Sequence, residues 1–114
     1  MLARIEGGEA KVWTADSVVL EVVFVLERTY KIAKREIRDQ LLPILEFPGV
    51  QLTGKRRFRE VFDLYVDLNI SFGDAYNAIV IKQMGLTQIL SYDRDLDRVP
   101  GISRLEPPTP VSNP

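Results

Sequence analysis

The sequence predicts a single α/β domain in which helices alternate with short strands. Three observations lead to this prediction. Apolar residues recur at helical spacing in several segments, short apolar runs lie between those segments, and the run Thr87–Tyr92 directly follows a helical pattern that stops at Gly85. A chain of 114 residues is long enough for one hydrophobic core. We expect the domain to span residues 1–105 and the proline-rich residues 106–114 to form a flexible tail.

The composition limits the available chemistry. The chain contains neither cysteine nor histidine, which excludes disulfides, thiol nucleophiles, imidazole bases and the usual zinc sites. Any catalysis must therefore use carboxylates, Lys or Arg, hydroxyls or a bound hard cation. No apolar run approaches the roughly 20 residues that span a bilayer, and the polar N-terminus is not a signal sequence. We therefore expect a cytoplasmic protein with no membrane partner.

The first half of the chain is predicted to contain two strands and two helices. Ala10–Thr14 has the pattern of a short strand, and Val18–Leu26 is apolar on almost every side, which predicts a buried helix. Ala33–Glu46 follows as an amphipathic helix, with Pro43 expected to kink or end it. Val50–Thr53 is long enough only for a short strand or an extended linker.

The second half is predicted to contain two helices and two strands. Lys55–Leu68 has apolar residues on one helical face, and a further helix follows Ser71 and ends at Gly85. Thr87–Tyr92 is the next strand. Val99–Ile102 is expected to be an edge strand, because the proline within it is unsuited to a central strand.

Glu21 is the one charged residue in the apolar segment Val18–Leu26. A carboxylate buried without a partner costs several kcal/mol, so it must be neutralised, paired or bound to a metal. A salt bridge to an arginine remains possible, as does a helix face that is exposed.

Three further acids flank the predicted strand Thr87–Tyr92. Asp74 opens the preceding helix, and Asp93 and Asp95 follow the strand, at the end where α/β sheets place their functional crevice. Together with Glu21 they would form a divalent-metal site. The alternative is structural, since an acid three residues after Ser71 resembles a capping box, and aspartates are common in turns after strands.

Basic and aromatic residues suggest how a nucleic acid could bind, although the net charge of −1 argues against a strongly basic binder. The basic residues form two groups that could follow a phosphate backbone or simply be solvated. Three aromatic residues could stack on bases, although two of them, Trp13 and Tyr92, are expected to pack in or beside the sheet. The first basic group is Lys55, Arg56, Arg57 and Arg59, the second is Lys31, Lys34, Arg35 and Arg38, and the aromatics are Trp13, Tyr76 and Tyr92.

The four acids lie in three segments, Thr14–Arg28, Ile70–Ala78 and Ile89–Leu96. The order, the separations and the local setting of each acid resemble those of the PIN-domain nucleases, and most closely the VapC-type toxins of toxin–antitoxin pairs. The resemblance covers nearly the whole chain up to the proline-rich tail.

This resemblance implies a three-layer α/β/α fold with a mostly parallel sheet and an acidic pocket for Mg²⁺ or Mn²⁺. Glu21, Asp74, Asp93 and Asp95 would be both the catalytic and the metal-binding residues. The implied function is that of a metal-dependent endoribonuclease, which hydrolyses RNA phosphodiester bonds as the toxin of a toxin–antitoxin pair. Its implied partners are the RNA substrate, a cognate antitoxin protein and a second copy of the chain in a homodimer.

One part of the family pattern is not found. Family members begin with a hydrophobic strand that ends in an aspartate and leads into a first helix, whereas Met1 here falls where that helix would finish. We therefore expect an N-terminally shortened form with weak or no activity by itself. The alternatives are a non-catalytic PIN-like module that binds an antitoxin or RNA, and a dimerisation fragment whose acids are only caps and turns.

Overall fold

The computed structural model describes residues 1–109, so that residues 110–114 of the predicted tail lie outside the described part. The described residues form five α-helices, four short strands and two 3-10 helices. The α-helices are α1 (Leu2–Glu6), α2 (Asp16–Arg28), α3 (Lys34–Leu45), α4 (Phe58–Asp67) and α5 (Phe72–Gln83). The strands are β1 (Val12–Trp13), β2 (Val50–Gln51), β3 (Gln88–Leu90) and β4 (Ser103–Leu105), and the 3-10 helices are Lys55–Arg57 and Arg94–Arg98.

All strand pairing in residues 1–109 is parallel, which confirms the predicted α/β class. β1 pairs with β2, with Val12 opposite Val50, and β3 pairs with β4, with Gln88 opposite Ser103. Within the described residues the strands form two separate two-stranded sheets. Each pair is joined through helices, as parallel strands require a crossover.

The last strand lies further along the chain than predicted. It is Ser103–Leu105, whereas Val99–Ile102 forms a turn in which the Ile102 amide donates to the Val99 carbonyl at 3.3 Å. Gly101 has a φ of +80°, which glycine adopts without strain, and proline before it has no amide to donate to a sheet. The Pro100–Gly101 pair therefore makes a turn before the strand begins.

The hydrophobic core is centred on α4. Phe58, Phe62 and Tyr65 of this helix are completely buried, as the apolar spacing predicted. Phe72 at the start of α5 packs among them, with ring centroids 4.7 Å from Phe62 and 5.3 Å from Tyr65. This aromatic cluster fixes the start of α5 against α4, which matters because α5 begins beside the acidic residues.

The prediction that the α2 segment is buried on almost every side is wrong. Only Val19 and Val23 of this helix are fully buried, and Phe24 is 61% exposed. One face of α2 packs against α3 and α5, so the other apolar positions face solvent. Glu21 lies on an exposed part of the helix, so its carboxylate does not have to be neutralised, paired or bound to a metal.

Pro43 and Gly49 lie at or near the connection from α3 to β2. α3 continues through Pro43 and ends at Leu45, one residue before the predicted Glu46, so the early end expected at Pro43 is not found. Gly49 then packs against the end of α1, where its amide donates to the Ile5 carbonyl at 2.8 Å. A Cβ at Gly49 would lie 2.2 Å from the carbonyl oxygen of Ala10, so only glycine fits here.

Candidate metal centre

Ser71 begins α5 and sets the direction of Asp74. Its Oγ accepts a hydrogen bond from the Asp74 amide at 3.1 Å, which makes Ser71 the N-cap. In a capping box the acid of the third helical position would bond back to the amide of the N-cap. Here that amide donates to Asp95 Oδ2 instead, at 3.3 Å. The capping function of Ser71 is thus confirmed, while the Asp74 carboxylate does not make the return bond to the Ser71 amide.

Asp93 and Asp95 lie in a turn between β3 and the second 3-10 helix. Ser91 Oγ accepts from the Asp93 amide at 3.0 Å, and Asp93 Oδ1 accepts from the Asp95 amide at 3.0 Å. These bonds are the turn-forming role that the sequence allowed for these acids. They also fix the turn so that Asp95 reaches Ser71, which brings both acids beside the start of α5.

The structure therefore gathers three of the four predicted acids. One carboxylate oxygen from each of Asp74, Asp93 and Asp95 lies within 4.8 Å of the others. Asp74 is buried, with 8% of its surface exposed, and its Oδ2 atom has no hydrogen-bond partner among residues 1–109. A buried carboxylate oxygen without a donor is costly, so this atom calls for a proton or a cation.

The pKa shifts of Asp74 and Asp93 also indicate a site for a proton or a cation. Burial raises the pKa of Asp74 to about 6, with the neighbouring Asp93 carboxyl as the second cause. The pKa of Asp93 is lowered, first by its contact with Asp74 and then by the Asp95 amide. A proton therefore stays on Asp74 in mild acid, and above its pKa the group carries several negative charges in a small volume. Carboxylate oxygens are the ligands that Mg²⁺ and Mn²⁺ prefer, so the donor set fits such an ion.

Glu21 is not brought into this group. It lies on α2, where it lines a cavity of about 430 Å³ between α2 and the first turn of α5. Ser71 lines the same cavity and is also bonded to Asp74 and Asp95. Glu21 thus lines a cavity that it shares with Ser71, the residue that contacts Asp74 and Asp95.

Glu27 belongs to the same cavity wall, and the sequence did not single it out. It accepts a short hydrogen bond from the hydroxyl of Tyr65, which is completely buried. The helical spacing of α2 could have indicated Glu27. It lies seven residues after Leu20 on the same helical face, and Leu20 lines the cavity as well.

The basic turn at the start of α4 is largely engaged in internal contacts. Lys55 Nζ donates to two backbone carbonyls next to β2, at 2.8 and 2.9 Å. Arg59 forms a bidentate pair with Glu46, at 2.6 and 3.1 Å. Arg57 donates to a tyrosine hydroxyl of α5 at 3.2 Å, whereas Arg56 is exposed. Three of the four basic residues of this candidate phosphate-binding turn are therefore already engaged in contacts within the protein.

The second basic group and the candidate stacking aromatics are also partly engaged. Lys34 Nζ donates to the Ile70 carbonyl at 2.6 Å and lies 4.6 Å from the Tyr65 ring centre. Tyr76 packs 5.7 Å from Phe58, and its hydroxyl donates to Asp16. The last contact joins the start of α2 to α5, a structural role that the sequence did not indicate.

These features define an α/β protein with parallel strand pairs and a compact group of three aspartates at the capped N-terminal end of α5. Residues 1–102 match the PIN domain family, and the chain belongs to that family. It is 27% identical over 84 residues to a VapC ribonuclease of Aquifex aeolicus (strain VF5). The match covers 74% of this chain and 62% of that relative, so less than two thirds of the relative's length is represented. No solved structure gave a significant match.

The family match confirms the resemblance indicated by the three acid-bearing segments. Among residues 1–109, no helix has both the length and the apolar character needed to cross a bilayer.

Proposed function

We propose that the protein is a metal-dependent endoribonuclease that hydrolyses RNA phosphodiester bonds as the toxin of a toxin–antitoxin pair. The observation that carries the proposal is the buried Oδ2 of Asp74, which has no hydrogen-bond partner in the described part of the chain and lies beside the carboxylates of Asp93 and Asp95. Membership of the PIN domain family and the similarity to a protein named VapC ribonuclease support the same reaction.

In this proposal Asp74, Asp93 and Asp95 hold Mg²⁺ or Mn²⁺. Their carboxylate oxygens are the kind of ligand that both ions prefer. When bound, the cation supplies the positive charge that offsets the charge developing on the phosphodiester. The hydrogen bond from the Ser71 amide orients Asp95, and the burial of Asp74 keeps bulk water from one of its oxygens.

We assign Glu21 a catalytic role from the cavity wall, as the carboxylate that orients the attacking water and, acting as a general base, accepts its proton. Its carboxylate is exposed to solvent and faces the space that adjoins Ser71. A base in this place needs contact with water rather than burial, so its exposure is compatible with the role.

The proposed protein partners are a second copy of the chain and a cognate antitoxin. β1 pairs only on its β2 side within residues 1–109, and its two residues are exposed, Trp13 by 71%. Val18 and Val22 on α2 are exposed as well. Open strand edges and apolar faces of this kind are usually covered by association. Light scattering at micromolar concentration should give the mass of a dimer, and a monomer mass would count against this part of the proposal.

The same exposed surfaces favour a second candidate, a non-catalytic PIN-like module that binds an antitoxin or RNA. In that case the acids would be caps and turns, and a divalent cation would change no property of the protein.

A cleavage assay with fluorescent single-stranded RNA separates the two candidates. The purified chain should cleave at most weakly and only in Mg²⁺ or Mn²⁺, and both a chelator and Asp74→Asn should abolish any cleavage. Asp67→Asn is the matched control, because Asp67 is an exposed acid at the end of α4. Cleavage that persists both with chelator and in Asp74→Asn would overturn the proposed function.

A further inference from the structure

We propose that the cavity between α2 and the start of α5 binds a guanine base of the RNA strand, next to the three aspartates. This inference rests on the proposed ribonuclease function and specifies its base preference.

The cavity has the size and position of a ligand subsite. Its volume of about 430 Å³ lies within the range of roughly 300–1,000 Å³ that small-ligand sites occupy. It follows one face of α2 from Leu20 to Arg28 and is closed on the other side by Ser71, Phe72 and Gly73.

Ser71 connects the cavity to the acids. Its side chain accepts from the Asp74 amide and its own amide donates to Asp95, while the residue also lines the cavity. A base held in the cavity would therefore place an adjoining phosphate of its strand at the aspartates.

The cavity walls suit the face of a planar base. Val23 and Phe72 are buried apolar surfaces, and the exposed Phe24 ring carries the Arg28 guanidinium 5.6 Å from its centre. Aromatic rings and guanidinium planes are the groups on which proteins stack unpaired bases. Arg28 also supplies one positive charge on the wall that carries two glutamates, which offsets part of their repulsion of the RNA backbone.

Glu27 supplies the hydrogen-bonding edge. Its carboxylate is half-buried and is held in place by the Tyr65 hydroxyl, so its orientation is set before a ligand arrives. An ionised carboxylate only accepts hydrogen bonds, and the bond from Tyr65 leaves acceptor positions on both oxygens.

Guanine is the base that complements such an acceptor. Its Watson–Crick edge presents two adjacent donors, the ring N1–H and the exocyclic amino group. Adenine and cytosine each present one amino group beside an acceptor, and uracil presents one N–H between two carbonyl oxygens that a carboxylate repels. The expected order of affinity is therefore guanine first and uracil last.

The test is a binding measurement in chelator, where cleavage does not interfere. Fluorescein-labelled pentaribonucleotides that differ only in the central base are titrated with the full chain and followed by fluorescence anisotropy. The guanine oligonucleotide should bind at least about 5-fold more tightly than the uracil one, the lower end of what a bidentate base contact provides. Equal affinity for all four bases would overturn the inference.

Glu27→Gln gives a readout that a purely structural role would not change. Glutamine keeps an oxygen for the Tyr65 hydroxyl but replaces the other oxygen with an amide donor. The guanine preference should disappear, and adenine, with a donor beside an acceptor, should gain relative affinity. Glu60→Gln, an exposed glutamate of α4, is the control and should keep the guanine preference. A preference unchanged in Glu27→Gln would contradict the assignment.

Phe24→Ala tests the stacking wall. It should weaken binding of all four oligonucleotides by a similar factor, at least about 5-fold for the loss of one stacking contact. Tyr30→Ala, which removes an exposed aromatic just beyond α2, should not. Unchanged binding in Phe24→Ala would argue against a base on this wall.

The two proposals fail in different ways. Metal-dependent cleavage with no base preference would overturn the guanine site and leave the ribonuclease standing. A guanine preference in binding, together with cleavage that persists both with chelator and in Asp74→Asn, would do the reverse. If a lysine- or arginine-containing peptide binds the cavity and none of the four RNAs does, the cavity is a protein-binding site and the inference is wrong.

Discussion

The carboxyl group of Asp74 lies buried beside that of Asp93, within 4.8 Å, and the two respond to each other in opposite directions. Burial and the Asp93 neighbour raise the pKa of Asp74 to about 6, while the contact with Asp74 lowers the pKa of Asp93. The pair therefore keeps one proton well above the pH at which an ordinary aspartate loses it.

This relationship predicts how stability depends on pH in the absence of divalent cations. The pKa of Asp74 is 3.8 in the unfolded reference and about 6 in the folded protein, so the folded state binds this proton more tightly. The stabilisation is complete below the unfolded value and is lost as the pH rises through the folded value. With chelator, the melting temperature should fall between about pH 4.5 and about pH 7.5.

Asp74→Asn should remove this fall in melting temperature, because the asparagine side chain does not titrate in this pH range. Asp67→Asn should keep it. Asp93 does not disturb the test. Its contribution has the opposite sign and is lost only as the pH drops below the ordinary aspartate value, outside the range measured. An equally steep fall in Asp74→Asn would show that other groups cause it.

A divalent cation should stabilise the protein through the three aspartates. At neutral pH the cation replaces the missing proton, so millimolar Mn²⁺ should raise the melting temperature. Asp93→Asn should lose most of this increase. Glu21→Gln should retain it, because Glu21 is outside the group of three, yet it should lower RNA cleavage if Glu21 has the proposed catalytic role. If Glu21→Gln instead removes the stabilisation by Mn²⁺, Glu21 is a ligand after all.

Asp95 should have two separable roles. Asp95→Ala loses the acceptor for the Ser71 amide, and this should cost about 1 kcal/mol of unfolding free energy. Asp95→Asn keeps an oxygen for that bond, so its stability should stay near wild type while its affinity for Mn²⁺ falls. Urea unfolding and cation titration of both variants test this. Equal losses of stability in the two variants would show that the charge, rather than the hydrogen bond, matters at this position.

Close packing at Gly49 predicts a large loss of stability. A Cβ there would lie 2.2 Å from the Ala10 carbonyl oxygen and 2.5 Å from that of Ile5, and backbone on both sides leaves little room to adjust. Gly49→Ala should lower the unfolding free energy by about 3 kcal/mol or more. Gly7→Ala, where the nearest atom would be 3.6 Å away, is the matched control for urea denaturation. A Gly49→Ala variant as stable as Gly7→Ala would mean that α1 does not pack as described.

The sequence indicated most helices because their apolar spacing reflects the one face that each buries, as in α4. It failed for α2, since a run of valines looks buried whether or not neighbouring elements cover every side. The order of Asp74, Asp93 and Asp95 was visible in the chain. They meet through long-range contacts such as the hydrogen bond from the Ser71 amide to Asp95, which spans 24 positions and which no local pattern reveals.

The basic turn before α4 also contains residues whose contacts the sequence does not reveal, and the effect of those contacts can be measured. Lys55 and Arg56 are neighbours with the same charge, but Lys55 Nζ donates to two part-buried carbonyls whereas Arg56 is exposed. Lys55→Ala leaves both acceptors without their charged donor and should cost about 2 kcal/mol of unfolding free energy. Arg56→Ala should cost almost nothing, and its effect on RNA affinity should weaken as salt is added, because an exposed cation acts through screened attraction. Chemical denaturation and RNA binding at two salt concentrations separate the two residues, and equal stabilities for the two variants would contradict a structural role for Lys55.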